Sequence, residues 1–149
     1  MSDTELPRIV QASRVIAAPA DVIFEHIADP AKQPEWDGND NLSSAPGGQR
    51  ARGVGDVFSM TLTRGAVREN HVVEFEEGRR IAWKPAEVGE PPIGQLWRWE
   101  LEPEESGTRV THTYDWSELH DESRLERARN TQPANLLASI DRLAGLLER

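Results

Sequence analysis

The hydrophobic and polar positions at the start of the chain predict a strand followed by two short helices. Residues 8–17 are rich in β-branched side chains, which favour a strand. Pro19 suits the start of a helix, and the apolar residues after it recur at helical spacing. Asp29 can cap a second helix that begins at Pro30, and Pro34 keeps that helix short. The chain therefore opens as strand, helix, helix.

The middle of the chain predicts an antiparallel sheet. Residues 37–55 are polar and glycine-rich, with at most one weak strand, and beyond them apolar residues alternate with a period of two. Residues 95–102 and 108–117 form the clearest hairpin, with its turn at Glu105-Ser106. In the register that this turn sets, bulky side chains share one face of the sheet. The expected pairs are Trp97 with Tyr114, Trp99 with His112, and Leu101 with Val110.

The last predicted element is an amphipathic helix, preceded by a polar connection with some helical turn over residues 118–130. Thr131 is the expected N-cap, and Pro133 falls in the first turn. The apolar residues at helical spacing are Leu136, Leu137, Ile140, Leu143, Ala144 and Leu147. An apolar sheet face and an apolar helix face must bury against each other, so the pattern predicts an α+β fold.

Composition narrows the class of protein. The 149 residues predict one domain, 1–149, and 26 acidic against 17 basic residues give a net charge of −9. This charge disfavours nucleic acid, whose affinity for proteins rests on Lys and Arg. No apolar run approaches the roughly 20 residues of a membrane helix, and the first residues lack signal-peptide features. We therefore expect a cytoplasmic protein without membrane insertion.

Motifs for metal and cofactor chemistry are missing from the sequence. The chain has no cysteine, and its four histidines lack metal-ligand spacing. Gly53 and Gly55 do not extend to a dinucleotide fingerprint, because Phe58 stands where the last glycine is needed. No G-x-S-x-G elbow marks a serine nucleophile. We expect neither a metal nor a cofactor.

Three segments carry a family resemblance: VIAAPADVIFEHIADPAKQPEWD (15–37), WRWELEPEESGTRVTHTYDW (97–116) and LLASIDRLAGLLE (136–148). They resemble the START-like (Bet v 1-like, or SRPBCC) superfamily, in particular its polyketide cyclase/dehydrase branch. The resemblance implies a helix-grip fold, in which a curved antiparallel sheet of about six to seven strands wraps around a long C-terminal helix. It also implies an internal cavity for a small hydrophobic molecule such as a lipid or a polyketide.

The aromatic residues of the hairpin can be sheet core or cavity lining, and two arguments favour a cavity. Tyr114 and His112 need hydrogen-bond partners, which an apolar core does not offer. The Leu, Ile and Ala side chains of the last helix are also too small to contact every ring. Trp36 is expected at the cavity mouth, unless it serves packing alone. The candidate ligand-binding residues are Trp36, Phe58, Met60, His71, Trp83, Trp97, Trp99, His112, Tyr114, Trp116, Leu136 and Ile140.

Candidate proton-transfer groups depend on which face of the sheet they occupy. If Val67, Val73 and Phe75 face inward, strict alternation brings Glu69 and His71 into the cavity with them. His112 and Tyr114 would approach from the hairpin. In aromatase/cyclases of the superfamily a cavity arginine polarises polyketide carbonyls. Alternation places Arg68 on the outer face unless a bulge intervenes, so that role is not assigned to it.

Three functions remain open from the sequence. The first is binding, with or without transport, of a small hydrophobic molecule, which is favoured by the many aromatic candidates and the few catalytic ones. The second is an enzyme of the aromatase/cyclase or dehydratase kind, which would gain rate by holding a flexible substrate in one shape. The third is an interaction module resembling the Hsp90-ATPase-activator branch. The charged residues of the outer sheet face, such as Arg98 and Glu100, count against an apolar docking surface.

Overall fold

A computed structural model describes residues 8–148, which form one antiparallel sheet and four α-helices. The strands are β1 Ile9–Ile16, β2 Leu42–Ser44, β3 Val57–Leu62, β4 Val67–Glu76, β5 Arg80–Glu87, β6 Leu96–Glu104 and β7 Gly107–Asp115. The helices are α1 Ala20–Ala28, α2 Gln33–Trp36, α3 Glu122–Arg129 and α4 Pro133–Leu147, with a 3₁₀ turn at Pro30–Lys32.

The seven strands form a sheet in the order β1-β7-β6-β5-β4-β3-β2, and the long helix α4 packs against it. The side of the sheet that faces α4 is called the inner face below. Arg14 on β1 holds α4 through ion pairs with Asp141, at 2.9 Å, and with Glu148, at 3.0 Å. The α+β helix-grip fold expected from the sequence is confirmed.

The predicted opening of strand, helix, helix is also present, except that Pro34 lies at the start of α2 and does not end the second helix. Pro19 precedes α1, whose Ile23 and Phe24 are buried against the sheet. The Asp29 carboxylate accepts a hydrogen bond from the Ala31 N–H at 3.1 Å and so caps the 3₁₀ turn. α2 continues directly from this turn, which places its last residue against the interior of the fold.

The hairpin of β6 and β7 has the predicted register. Trp97 lies opposite Tyr114 and Trp99 opposite His112, and Glu104 pairs with Gly107 to leave Glu105 and Ser106 as the turn. Gly107 cannot be replaced freely, because its φ is +146° and a Cβ would lie 2.1 Å from the carbonyl oxygen of Ile16. The end of this turn therefore packs directly against the end of β1.

A bulge in β4 overturns the expected alternation of that strand. The register between β4 and β5 shifts between Val72 and Glu74, so Val73 is an extra residue without its own partner. On the C-terminal side of the bulge, Phe75 faces inward and packs edge-to-face on Phe24, with ring centroids 5.7 Å apart. On the N-terminal side of the bulge, the residues that strict alternation would place on the inner face lie on the outer face, and their neighbours face inward.

The bulge places two candidate residues on the outer face and two other residues on the inner face. Glu69 and His71 lie on the outer face, where His71 pairs with the exposed Val57 of β3. The expectation that these two side chains enter the cavity is wrong, because it assumed a strand without a bulge. Arg68 and Asn70 occupy the inner face instead, and both line the cavity described below.

The N-cap of helix α4 lies one residue later in the chain than expected. Gln132 is the N-cap, and its N–H donates to the side-chain oxygen of Asn135 at 2.8 Å. Thr131 is therefore not the cap, and Leu137 lies on the exposed side of the helix. The C-terminal half of α4 packs with α1 and the sheet in a solid core. That core includes Ile16, Ile23, Phe24, Ile27, Trp99, Leu101, Val110, Ile140, Leu143 and Ala144.

Within residues 8–148, no helix is both long enough and apolar enough to cross a membrane.

Candidate functional site

A cavity of about 630 Å³ lies at the other end of the helix–sheet interface. Its walls are the inner face of the sheet, helix α3, the first turns of α4 and the loop over residues 37–42. The volume falls within the roughly 300–1,000 Å³ of small-molecule sites. The candidate ligand-binding residues that line it are Trp36, Met60, Trp83, Trp97, His112, Tyr114 and Leu136.

The remaining candidates lie elsewhere. Phe58 packs edge-to-face on Trp83, and Trp116 is buried beneath the Arg8 guanidinium, which lies 4.6 Å from its ring. Trp99 and Ile140 are fully buried in the solid core. Together with His71 on the outer face, these residues do not line the cavity.

Stacked rings from β6 and β7 make an aromatic wall, defined here as Trp97, His112 and Tyr114. The Trp97 ring lies 4.1 Å from Tyr114 and 5.5 Å from His112, measured between centroids. His112 in turn lies 3.8 Å from Trp99, behind the wall. Stacking holds these rings in fixed orientations, so the wall offers a flat, preformed apolar surface.

The two titratable groups of the aromatic wall are neutral at neutral pH. Burial lowers the pKa of His112 to about 3, although a backbone hydrogen bond at Arg98 acts in the opposite direction. Burial raises the pKa of Tyr114 to about 12, against a weaker effect of the Gln95 side chain. A general acid or base works best with a pKa near the working pH. These groups suit hydrogen bonding better than proton transfer.

Of the residues described, Asp37 is the one carboxylate that lines the cavity, and its oxygens are already engaged. They accept three backbone hydrogen bonds at 2.6–3.0 Å, from the N–H groups of Asn39, Asn41 and Leu42. Glu69, on the outer face, accepts the Gly89 N–H at 2.9 Å. No three His, Asp or Glu side chains in residues 8–148 are grouped to hold a metal ion.

The loop over residues 37–42 is fixed to α4 and forms one rim of the cavity. The Gly38 N–H donates to the hydroxyl oxygen of Ser139 at 3.0 Å, and the side chains of Asn39 and Asn135 are joined at 3.0 Å. Gly38 lies so close to α4 that a Cβ would sit 2.6 Å from the carbonyl carbon of Ala138. Glycine is therefore required for this approach.

Trp36 lies where the cavity meets the solid core. Its indole N–H donates to the His26 carbonyl oxygen at 2.7 Å, and its ring packs edge-to-face on Trp99 with centroids 5.0 Å apart. Only 4% of the residue is exposed. Trp36 therefore packs in the core and lines the cavity at its core side, not at the mouth expected from the sequence.

Several polar lining residues were not identified from the sequence. Arg68 and Asn70 required knowledge of the bulge, although the neighbouring apolar pair Val72-Val73 was a signal, since only one of two adjacent strand residues can face inward. The hydrophobic pattern of the sequence does not mark Arg64 or the residues of α3 as cavity lining. The lining residues from α3 are Ser123, Arg124, Arg127 and Ala128.

Comparison with known proteins gives a family match over nearly the whole chain. The family model described as "Polyketide cyclase / dehydrase and lipid transport" matches residues 7–148. Two uncharacterised proteins from strains of Mycobacterium tuberculosis, MT0096 and Rv0088, are each 33% identical over 113 residues, which is 74% of this chain. The match covers 48% of each relative, so the chain spans about half the length of these curated relatives.

Solved structures share the fold at low sequence identity. Protein MLL2253 from Mesorhizobium loti has a TM-score of 0.71 and 20% identity, covering 95% of this chain and 98% of its own. The Aha1 dimer structure from Colwellia psychrerythraea has a TM-score of 0.65 and 20% identity, with coverage of 94% and 96%. DynU16, a putative protein in the dynemicin biosynthetic locus, has a TM-score of 0.66 and 19% identity, with coverage of 96% and 48%. At these identities the likeness concerns the fold alone.

Proposed function

The chain belongs to the polyketide cyclase/dehydrase and lipid transport family, and on that premise we propose that its cavity binds a small hydrophobic molecule, such as a lipid or a polyketide-like metabolite. The observation that carries the proposal is the cavity of about 630 Å³ with the aromatic wall on one side. A stacked apolar wall with a few fixed polar groups is the usual composition of such a site. Transport of the bound molecule is part of the same proposal.

Binding is preferred over catalysis because the cavity offers poor proton-transfer groups. His112 and Tyr114 have pKa values of about 3 and about 12, far from neutral pH. The Asp37 carboxylate is occupied by backbone N–H groups. A residue that transfers protons during turnover must be accessible to the substrate and must have a pKa near the working pH. None of these three residues meets both conditions.

A cyclase or dehydratase is the second candidate, and one observation favours it. The bulge in β4 brings Arg68 to the cavity, where a guanidinium could polarise a substrate carbonyl. The cavity would then hold a poly-β-ketone in one folded shape and accelerate its cyclisation by orientation. Turnover of an added poly-β-ketone, rather than a lasting complex, separates this function from binding.

An interaction module remains the third candidate, without an observation that favours it. The charged residues of the outer sheet face are largely paired with one another. Arg98 pairs with Glu74 at 2.6 Å, and Arg109 with Glu104 at 2.7 Å. Pairing of this kind leaves little unsatisfied charge to attract a partner.

The binding proposal is tested with N-phenyl-1-naphthylamine, a neutral probe that becomes fluorescent in apolar surroundings. We expect saturable binding to the wild-type protein. Trp97→Phe should weaken binding about two- to tenfold, because an aromatic contact of this kind contributes roughly 0.5–1.5 kcal/mol. Fluorescence titration gives both dissociation constants.

Trp116→Phe is the control, because it makes the same substitution at a site that is more deeply buried than Trp97 and lies outside the cavity. Its affinity for the probe should stay within about twofold of the wild type. Equal weakening by the two variants would place the probe elsewhere, and failure of the wild type to bind the probe would contradict the proposed function.

A further inference from the structure

The mouth of the cavity carries an excess of positive charge. Four guanidinium groups line the cavity, against the lining carboxylate of Asp37 and the carboxylate of Glu87, which pairs with Arg124 and lies opposite Arg68 on β5. The lining arginines are Arg64, Arg68, Arg124 and Arg127. The whole chain has 26 acidic against 17 basic residues, so this local excess runs against its composition. At physiological salt, charges beyond about 8 Å are largely screened, and the local arginines dominate at the mouth.

Two of these guanidinium groups are available to a ligand. Arg124 forms an ion pair with Glu87, and Arg127 donates to the side-chain oxygen of Asn41 at 3.5 Å. Neither Arg64 nor Arg68 has a carboxylate within 4.0 Å among the described residues. The one side-chain hydrogen bond of Arg68 goes to the carbonyl oxygen of its neighbour Val67, at 3.3 Å.

Arg68 is the better placed of the two, because it lies half-buried on the inner face opposite Met60. Two residues further along β4, Asn70 is 6% exposed and lines the cavity, and its side-chain amide is hydrogen-bonded to no other described residue. Because this amide lines the cavity, it can donate a hydrogen bond to a bound molecule. A charged group and an unpartnered amide thus line the same cavity as the aromatic wall.

We propose that the ligand is an amphiphile with an anionic head, a carboxylate or a phosphate, bound by Arg68 and Arg64, and with an apolar tail along the aromatic wall. This inference rests on the proposed function, since it names the chemical class of the molecule in the same cavity. Guanidinium groups bind carboxylate and phosphate oxygens through paired, charge-assisted hydrogen bonds, which match such a head. The Asn70 amide can donate to the same head group.

The test compares three ligands with the same twelve-carbon tail: dodecanoate, dodecyl phosphate and the neutral 1-dodecanol. Each is titrated against the wild-type protein carrying N-phenyl-1-naphthylamine, and displacement of the probe is followed by fluorescence. At least one of the two anions should bind about tenfold more tightly than the alcohol, as expected for hydrogen bonds to a charged group. The anion that binds more tightly identifies the head group. The preference for the anions should decrease as salt is added.

Arg68→Gln and Arg64→Gln should each reduce the preference for the anion over 1-dodecanol several-fold. Arg79→Gln, an exposed arginine away from the cavity, is the matched control and should leave both affinities unchanged. Equal displacement by all three ligands, or a preference that survives both cavity variants, would overturn this inference while binding of the probe still supports the proposed function. If the probe itself does not bind, the proposed function fails first.

Discussion

Replacing Trp36 with alanine is expected to lower the free energy of unfolding by about 3–5 kcal/mol, the usual cost of removing a large buried aromatic side chain. The ring is 4% exposed, packs on Trp99 and donates its indole N–H to the His26 carbonyl oxygen at 2.7 Å. Its removal leaves that carbonyl oxygen without a partner and joins the cavity to a new void in the core. Urea unfolding followed by circular dichroism measures the loss.

Trp36→Phe separates the hydrogen bond from the packing. The phenyl ring keeps most of the contact with Trp99 but cannot donate to His26, so we expect a loss of roughly 1–2 kcal/mol. A loss below about 1 kcal/mol for Trp36→Ala would contradict the packing described for this ring. Equal losses for the two variants would assign the whole effect to the hydrogen bond.

Acidification should destabilise the fold through His112. Burial lowers the pKa of His112 to about 3, whereas an exposed histidine titrates near 6.5. Between these pH values the unfolded chain binds a proton that the folded chain does not. Stability is therefore complete above about pH 6.5 and is lost as the pH falls towards 3. We expect a loss of about 2 kcal/mol between pH 7.5 and 5.0, measured by urea unfolding at each pH.

His112→Phe should remove most of this pH dependence and keep the ring between Trp97 and Trp99. His120→Asn is the control, because His120 is exposed and should leave the slope unchanged. Arg50 lowers the pKa of Glu25, and Arg98 lowers the pKa of Glu74. The stabilisation from these two ion pairs is lost only as the pH falls below about 4.5, which lies outside this window. A wild-type protein whose stability is flat from pH 7.5 to 5.0 would contradict the burial of a neutral His112.

Much of the fold could be predicted because local patterns and long-range packing agree. The register of β6 and β7 followed from one turn, since a shift by one residue would have moved Trp97, Trp99 and Leu101 to the outer face. The start of α1 followed from Pro19, and the start of the second helical segment followed from Asp29 and Pro30. In each case a few neighbouring residues carry the information.

The candidate site was harder to predict because it depends on a single irregular residue. The bulge at Val73 exchanges the two faces of the first half of β4, and no local rule separates Val73 from Val72 as the extra residue. For this reason Arg68 and Asn70 line the cavity, whereas Glu69 and His71 do not. The α3 residues that line the cavity could not be predicted from the sequence. Their position depends on how a polar connection packs against the sheet, and hydrophobic periodicity does not encode that packing.

We propose that a small hydrophobic molecule binds in the cavity beside the aromatic wall. The most direct test is a ¹H–¹⁵N spectrum of the indole N–H groups of the five tryptophans, recorded with and without N-phenyl-1-naphthylamine. Because Trp97 lines the cavity and Trp116 does not, the Trp97 signal should shift strongly while the Trp116 signal stays in place. An unchanged Trp97 signal at saturating probe, or a Trp116 signal that shifts as far, would contradict the claim.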